Sequence, residues 1–289
     1  MIIAYSFIGR LPNYIVETLI QARLFFEGDI YLILDDLKSP LLEKIKDLII
    51  KLVPYKEVVN NEFLKICKKR GNKIAIVNSL GHRKLLFLRS MERFFLLQNL
   101  MEKKDLDNIL FLELDNLIYD DPNKWKAKLK EINFTFMYDN KNRISTGLMY
   151  IKNLDSIKII TNNLKIYVKE EQGFISEMGG NWLVKDHAYF LPTHWKDDKY
   201  NNLSYNNYGD FGKSIFDSLS IGWYFFGPDK IHDYSKKNPW GEIDYTGYKY
   251  EWLEDEKGRR RPYFIINNEK ILINNLHIHS KNLKAGLSK

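Results

Sequence analysis

Short apolar runs alternate with amphipathic segments through residues 1–120, and this alternation restricts the fold more than any other feature of the sequence. Strands are predicted at 2–7, 30–34, 73–77 and 109–114, and helices at 12–26, 40–52, 62–69 and 83–103. A strand that returns through a helix to a parallel neighbour is the βαβ unit. We therefore predict an α/β protein with a mixed, mostly parallel central sheet flanked by helices.

The pattern changes after residue 130, where loops become long and strands become short. The segment 192–245 is rich in Asn, Asp, Gly and aromatic residues, which is typical of functional loops. The predicted elements of this half are strands at 134–138 and 145–151, helices at 153–169, 175–187 and 212–219, strands and turns over 248–274, a last strand at 275–279, and a frayed tail after Lys284.

Composition indicates one folded domain. The chain has 289 residues, of which 45% are hydrophobic, so a disordered protein is excluded. The single cysteine, Cys67, excludes a disulfide framework. The N-terminal segment lacks the basic start and apolar run of a signal peptide, and no segment reaches the roughly 20 apolar residues that span a bilayer. We therefore expect a cytoplasmic protein without a membrane span, in a host cytoplasm or virion if the source is viral.

The formal net charge of +7 favours an anionic partner, such as nucleic acid, a membrane surface or a phosphorylated substrate. Lysines are spread along the whole chain, and the sequence has no helix-turn-helix, zinc-finger or RNA-binding signature. The densest basic run, Arg259-Arg-Arg-Pro262, is typical of a solvated turn. We therefore expect no nucleic acid partner.

Two carboxylates lie at the end of the fourth predicted strand, in Phe111-Leu-Glu-Leu-Asp-Asn116. Glu113 and Asp115 are two residues apart, so they share one face if the strand continues through them. Paired carboxylate oxygens are ligands for a hard divalent cation when diphosphate oxygens complete its coordination. The alternative is an edge strand with a solvated acidic end.

A second polar pattern closes the chain, in Asn275-Leu-His-Ile-His-Ser-Lys281. His277, His279 and Lys281 alternate onto one face of a strand. A neutral imidazole is a common metal ligand, and a lysine beside it can neutralise a diphosphate. The alternative is a pair of ordinary hydrogen-bonded histidines.

An acidic pair after the fourth strand, together with a late histidine, resembles the metal signature of GT-A-fold glycosyltransferases, with Glu113 in place of the first aspartate. Arg89-Ser-Met-Glu-Arg93 resembles the arginine-bearing helix beside the nucleotide in that family. Ser145-Thr-Gly resembles the strand that approaches the donor sugar, without its asparagine. The segments 215–229 and 275–281 are similar to microbial and viral proteins described as glycosyltransferases.

The resemblance implies a Rossmann-like GT-A fold in one domain, 1–289, with a nucleotide-binding half at 1–120 and an acceptor-binding half at 121–289 that ends in the metal-binding strand. It implies a nucleotide-sugar donor, most simply a UDP-sugar, and a glycan or other hydroxyl acceptor. The metal, Mn²⁺ or Mg²⁺, would be held by Glu113, Asp115, His277 and His279. The donor would contact Tyr5, Ser6, Asp36, Arg89, Arg93, Asn116, Ser145, Thr146 and Lys281.

Sugar transfer with inversion of configuration needs a general base that removes the proton of the acceptor hydroxyl. Asp186 is the favoured candidate, because it lies where the acceptor helix of the resembled family is expected, and Asp217 is the second. A retaining enzyme requires no such base. A helix cap or a lysine salt bridge is the alternative role for both aspartates.

Aromatic residues of the second half could stack on sugar rings or belong to the core. Those considered are Trp182, Trp195, Trp223, Tyr224 and Trp240. Three other functions stay open: a sugar-binding protein without catalysis, a basic nucleic-acid-binding protein, and a metal-dependent phosphoester hydrolase. The last would need more histidines close to the acidic strand than this sequence has.

Overall fold

The computed structural model describes residues 1–70, 86–140, 143–171, 180–181, 183–195, 205–227 and 244–289. In chain order the strands are β1 (Ile2–Phe7), β2 (Ile30–Leu34), β3 (Ile50–Pro54), β4 (Ile109–Leu112), β5 (Asn116–Ile118), β6 (Thr135–Asn140), β7 (Arg143–Ser145), β8 (Leu148–Ile151), β9 (Tyr189–Leu191), β10 (Lys249–Glu254), β11 (Arg260–Ile266), β12 (Glu269–Leu272) and β13 (Asn275–His277).

The α-helices of the described residues are α1 (Ile15–Phe25), α2 (Tyr55–Val58), α3 (Asn61–Arg70), α4 (Leu86–Lys104), α5 (Lys126–Leu129), α6 (Leu154–Glu170) and α7 (Ser220–Phe226). Short 3-10 helices lie at Glu43–Leu48, Pro122–Trp125, Lys185–His187, Tyr205–Phe211 and Leu283–Gly286. None of the described helices is both long enough and apolar enough to cross a membrane.

The central sheet has the strand order β3-β2-β1-β4-β8. The first four strands pair in parallel, and β8 pairs antiparallel with β4. The predicted α/β class with a mixed, mostly parallel sheet flanked by helices is therefore confirmed. Because parallel strands present their carboxyl ends at one edge, the segments that follow β1, β2 and β4 share that edge.

Side chains of the central strands alternate between two apolar cores, as the period of two residues requires. On β4, Leu110 and Leu112 face the core that contains α1, whereas Ile109 and Phe111 face the core that contains α4 and α6. Sheet and helices thus form three layers. Glu113, which follows Phe111 by two residues, contacts Arg93 on the α4 side of the sheet.

Smaller sheets extend the second half of the chain. Strand β13 returns to pair antiparallel with β5, which places His277 opposite Asn116. Strands β10, β11 and β12 form an antiparallel meander, and β6 pairs with β7 and β9. The pairing of β13 with β5 brings the last part of the sequence to the carboxyl end of β4.

Several boundary predictions are wrong. The predicted helix 40–52 ends early, since Ile49 adopts a left-handed backbone (φ 53°) and the chain then enters β3. Residues 212–219 form no helix, contrary to the prediction, and α7 begins only at Ser220. The strand predicted to reach residue 114 ends at Leu112, the strand predicted at 145–151 is divided between β7 and β8, and the last predicted strand, 275–279, ends at His277. The predicted helix 175–187 contains a 3-10 helix at 185–187, while its residues 175–179 and the predicted strand 73–77 lie outside the described residues.

The C-terminal tail is packed into the protein, so the predicted fraying is wrong. The Tyr119 hydroxyl donates to the carbonyl oxygen of Gly286 at 2.7 Å. The backbone nitrogen of Ser288 donates to Oε1 of Gln21 at 3.0 Å. Space at Gly286 is tight, because an added Cβ would lie 2.6 Å from Cδ1 of Ile278. These buried hydrogen bonds fix the chain that follows the histidines.

The basic run at 259–261 also packs inward and is not a solvated turn. Arg261 is 9% exposed, donates from Nε to the carbonyl oxygen of Tyr119 at 2.6 Å, and forms an ion pair with Asp120 at 2.9 Å. Arg260 donates to the carbonyl oxygen of Leu287 at 3.0 Å. These arginines therefore hold the tail and the β5 region together.

Replacing Tyr119 by Phe should destabilise the protein by about 1–3 kcal/mol, because the carbonyl of Gly286 would be buried without its donor. Urea unfolding followed by circular dichroism measures this difference. Tyr250→Phe is the matched control, since Tyr250 is 44% exposed and its change should leave the free energy of unfolding nearly unaltered. Equal stabilities of the Tyr119 variant and the wild type would contradict the role given to this hydroxyl.

Candidate functional site

The site is built where β4 ends. The chain leaves the sheet at Leu112 and turns through residues 113–115 into β5. The turn is closed by the backbone nitrogen of Asn116, which donates to the carbonyl oxygen of Glu113 at 3.0 Å. The backbone nitrogen of Glu113 donates to the carbonyl oxygen of Gly147 at 2.9 Å. Both carboxylates are therefore held by a tight turn and not by a continuous strand.

His277 joins the two carboxylates. Its Nε2 lies 3.1 Å from Oε2 of Glu113 and 3.3 Å from Oδ1 of Asp115. The antiparallel pairing of β13 with β5 creates this approach, because it places His277 directly across from the turn. The ring of His279 lies beside that of His277, with 4.4 Å between the ring centroids. Four predicted metal ligands thus meet at one place.

These residues fit a divalent cation. Asp115, His277 and His279 each offer a ligand atom, and these atoms lie within 4.8 Å of one another. Two buried ring nitrogens, Nδ1 of His277 and Nε2 of His279, have no hydrogen-bond partner within the part of the chain that the structure describes. A buried nitrogen without a partner is costly in an apolar core and is suited to binding a metal.

Two cationic side chains balance the carboxylates. Arg93, on α4, donates to Glu113 and to the hydroxyl of Thr146. It approaches from the α4 side, where the guanidinium carbon lies 5.4 Å from the centre of the Phe111 ring. Lys281 contacts Asp115, and its backbone has a left-handed φ of 60°. Each carboxylate therefore has its own cation.

The charges shift the pKa values in opposite directions. Burial raises the pKa of Glu113, but Arg93 and His277 outweigh it and lower the pKa to about 2. Lys281 and His277 likewise hold the pKa of Asp115 well below its usual range against the effect of burial. Burial lowers the pKa of His277, but the carboxylates of Asp115 and Glu113 raise it to about 10.

The second histidine differs from the first. Burial, together with the neighbouring His277, lowers the pKa of His279 to about 3. His279 is therefore neutral at physiological pH, which is the form of imidazole that binds a metal.

Asp217 lies under the histidine and is fully buried. Its Oδ1 accepts a hydrogen bond from the backbone nitrogen of Ile221 at 2.9 Å. Its Oδ2 accepts one from the backbone nitrogen of Gly222 at 2.7 Å and one from that of His277 at 2.8 Å. Burial raises the pKa of Asp217 to about 6 despite these donors. The carboxylate thus joins the first turn of α7 to β13.

The other predicted base, Asp186, lies on the surface. Its side chain is 84% exposed and is 3.3 Å from Nζ of Lys185, within the 3-10 helix before β9. No described contact joins it to the histidines. An exposed carboxylate is open to an acceptor molecule, whereas a fully buried one is not.

The predicted donor residues divide into two groups. Arg93, Thr146, Asn116 and Lys281 lie in the carboxylate cluster or touch it directly. Asn116 is fully buried, and its Oδ1 accepts a hydrogen bond from Nδ2 of Asn275 at 2.8 Å. The structure therefore brings the residues after β4 and β13 together.

The second group makes no described contact with Glu113 or Asp115. Tyr5 is 1% exposed and belongs to the apolar core, while Ser6 and Asp36 are half-buried at the carboxyl ends of β1 and β2. Arg89 pairs with Glu92 one turn before Arg93. Ser145 donates to the carbonyl oxygen of Ser218 at 2.7 Å.

A groove of about 450 Å³ opens beside Lys281. The start of α1, the segment after β2 and the turn after β13 form its walls. The Nζ atom of Lys281 lies 6.0 Å from the centre of the Tyr14 ring. Its lining includes Asn13, Tyr14, Leu41, Lys44, Lys281 and Asn282.

Sequence reasoning missed three residues that shape the site. Nδ2 of Asn275 donates to the carbonyl oxygen of Asp217 at 3.1 Å as well as to Asn116. Gly147 leaves space for His277, because a Cβ added at Gly147 would lie 2.9 Å from the His277 ring. Gly222 lies against the backbone of His277, because a Cβ added at Gly222 would be 2.2 Å from the His277 carbonyl oxygen. The Ser-Thr-Gly segment was the available signal for Gly147, and nothing local marked the other two.

No protein-family model matches this sequence, and no curated protein matches it. Partial similarity in fold is found to solved structures of glycosyltransferases. The apo form of mouse xyloside xylosyltransferase 1 aligns over 66% of this chain and 84% of its own, with 10% identity and a TM-score of 0.47. The galactosyltransferase LgtC, in complex with donor and acceptor sugar analogs, aligns over 66% of this chain and 73% of its own, with 13% identity and a TM-score of 0.46.

A third similar structure is the apo form of the glycosyltransferase GlyE of Streptococcus pneumoniae. It aligns over 66% of this chain and 44% of its own, with 14% identity and a TM-score of 0.42. At these identities and scores the likeness concerns the fold alone and assigns no role to any residue of this chain.

Replacing Arg93 by Met should destabilise the metal-free protein by about 1–3 kcal/mol at pH 7, because Glu113, whose side chain is 29% exposed, would lose a charged hydrogen-bond donor and keep only His277 as a cationic partner. The pKa of Glu113 is about 2 in the folded protein against an ordinary 4.5. The stabilisation from this ion pair is therefore complete above pH 4.5 and is lost as the pH falls toward 2.

Urea unfolding in the presence of a chelator, at several pH values between 7 and 3, measures this effect. The difference between the wild type and Arg93→Met should narrow as the pH is lowered. Lys46→Met is the control, because Lys46 pairs with Glu43 on the surface, where an ion pair contributes little. A difference that stayed constant with pH would contradict the proposed pairing.

Proposed function

We propose that this protein is a metal-dependent glycosyltransferase that moves a sugar from a nucleoside-diphosphate donor, most simply a UDP-sugar, to a hydroxyl of a glycan or another acceptor. The observation that carries the proposal is the cluster of Glu113, Asp115, His277 and His279, with Lys281 beside it. The cluster lies at the carboxyl end of a parallel sheet, where α/β proteins bind ligands.

The ligand set favours Mn²⁺ over Mg²⁺. Mg²⁺ prefers oxygen ligands in near-ideal octahedral geometry, whereas two imidazole nitrogens beside a carboxylate suit a transition-metal ion. We propose that Asp115, His277 and His279 hold the ion, that His277 would lose its proton when the ion binds, and that Glu113 completes or orients the set. When bound, such an ion would act as a Lewis acid on the departing diphosphate.

Lys281 is suited to neutralise the diphosphate, because its side chain is 33% exposed and adjoins the proposed metal ligands. Arg93 has a different role in this proposal. Its side chain is 7% exposed and is engaged with Glu113 and Thr146, so it positions the carboxylate from inside the protein. The two cations thus act on the outer and inner sides of the site.

We place the nucleoside in the groove beside Lys281. The groove begins at the cation that would bind the diphosphate and offers an aromatic ring at Tyr14. The amide side chains of Asn13 and Asn282 provide donors and acceptors for a base or ribose. Ser6 and Asp36 remain donor-site proposals at the same sheet edge, whereas the burial of Tyr5 favours a core role.

The reaction would form a bond between the acceptor oxygen and the anomeric carbon of the sugar while the bond from that carbon to the diphosphate breaks. In an inverting enzyme the acceptor proton passes to a base, for which Asp186 is proposed because it is the exposed candidate. We further propose that Trp223 and Tyr224, on the half-buried face of α7, contact the acceptor sugar.

Calorimetric titration with uridine diphosphate, with and without Mn²⁺, tests the donor site. The wild type should bind in the micromolar range only when Mn²⁺ is present, and Asp115→Asn should bind at least about tenfold more weakly, a loss of about 1.4 kcal/mol. Asp47→Asn, which alters an exposed aspartate, should bind like the wild type.

Guanosine diphosphate titrated in parallel shows which nucleobase, uracil or guanine, the donor site prefers. If neither nucleotide bound with or without Mn²⁺, the catalytic proposal would be abandoned in favour of a non-catalytic sugar-binding role or a nucleic-acid-binding role.

Replacing Asp186 by Asn tests whether this residue is the general base. If the enzyme inverts configuration, the rate of nucleoside-diphosphate release with acceptor present should fall by about 10²–10⁴-fold, while the affinity for Mn²⁺ and donor stays unchanged. Asp155→Asn, another exposed aspartate, is the control. Full activity of the Asp186 variant would remove this residue from the mechanism.

A further inference from the structure

Asp217 is placed where it cannot act on a substrate. Its side chain is fully buried, and both of its oxygens are engaged by backbone nitrogens. A general base has to come within hydrogen-bonding distance of the proton that it removes. The role of this carboxylate therefore lies in the backbone groups that it binds.

Three N–H groups from two separate elements converge on this single carboxylate. Those of Ile221 and Gly222 belong to the first turn of α7, where N–H groups have no partner inside the helix. The third belongs to His277, the histidine that contacts Glu113 and Asp115. Hydrogen bonds to a charged acceptor are stronger than neutral ones, so the carboxylate is an effective anchor for both elements.

Asn275 reinforces the same connection from the start of β13. Its Oδ1 accepts from the backbone nitrogen of Asp217 at 3.0 Å, and its Nδ2 donates to the carbonyl oxygen of Asp217 at 3.1 Å and to Asn116 at 2.8 Å. The aspartate, β13 and β5 are thus connected through one buried amide. This connection therefore includes the backbone segments that carry the carboxylates and the histidines.

Gly222 allows the close approach of α7 to β13. An added Cβ would lie 2.2 Å from the carbonyl oxygen of His277 and 3.0 Å from Oδ2 of Asp217. The requirement is for space, because this glycine does not have a positive φ. Any larger residue would push the helix away from the histidine.

We propose that Asp217 is a positioning residue, which together with Gly222 fixes the metal-binding histidine His277 and helix α7 as one unit. This inference rests on the proposed metal-dependent function. It assigns the aspartate to the geometry of the metal site and leaves proton transfer to another group. Because α7 also carries Trp223 and Tyr224, the same unit joins the proposed acceptor face to the metal ligands.

Titration of the purified full chain with Mn²⁺, by calorimetry and by the electron paramagnetic resonance signal of free Mn²⁺, tests the inference. Asp217→Ala should bind Mn²⁺ about 10–100-fold more weakly, which is the usual effect of removing a group that orients a metal ligand. Asp217→Asn should fall between Ala and the wild type, since its one carbonyl oxygen can still accept from His277.

Gly222→Ala provides a second variant that does not alter the carboxylate, and it should also weaken Mn²⁺ binding. Two matched controls separate positioning from general stability. Asn153→Ala removes the side-chain cap of α6, whose Oδ1 accepts from the backbone nitrogen of Ser156 at 3.0 Å, at a site distant in sequence. Gly209→Ala adds a Cβ that meets nothing within 4 Å. Both controls should bind Mn²⁺ like the wild type, even where Asn153→Ala lowers the melting temperature.

The outcomes are distinguishable. If the wild type fails to bind Mn²⁺, the proposed function is overturned and this inference with it. If the wild type binds Mn²⁺ and both Asp217→Ala and Gly222→Ala bind with unchanged affinity, only the positioning role is overturned. Equal weakening in Asn153→Ala would also overturn it, because the effect would then follow stability alone.

Discussion

The balance of charge around Glu113 and Asp115 is the interaction on which the rest of the site depends. Burying two carboxylates side by side is costly unless cations and hydrogen bonds compensate for the lost water. Here Arg93 and Lys281 supply the cations, and His277 lies between the acids. Arg93 comes from α4, whereas His277 and Lys281 come from the C-terminal segment, so the compensation can form only when these distant parts of the chain are assembled.

That requirement explains why the C-terminal segment is so firmly packed. The histidines and Lys281 reach the carboxylates only because β13 pairs with β5. The residues beyond are then tied to α1 and β5 through Gln21 and Tyr119. Stability of the tail and geometry of the carboxylate–histidine cluster are therefore two consequences of the same packing, and a change in the tail should alter both.

The sequence was sufficient to predict the parallel sheet and the carboxylate pair because both depend on local patterns. Short continuous apolar runs identified β1, β2 and β4, and the acids that follow the last of these runs identified Glu113 and Asp115. It was not sufficient for β3, since a helical apolar pattern at 40–52 is broken by the left-handed backbone of Ile49. Nor could it reveal Gly222, whose importance depends on a contact with a strand more than 50 residues later in the chain.

Asp217 shows most clearly what a sequence leaves undecided. An isolated aspartate next to a helix can be a base, a cap or a salt-bridge partner, and the three alternatives have the same local sequence. Burial and the direction of the surrounding N–H groups distinguish them, because a carboxylate that is fully buried and accepts from both α7 and His277 lies out of reach of a substrate. The same reasoning applies to Arg93, whose burial makes it a support for Glu113 and leaves Lys281 as the cation of the pair that solvent can reach.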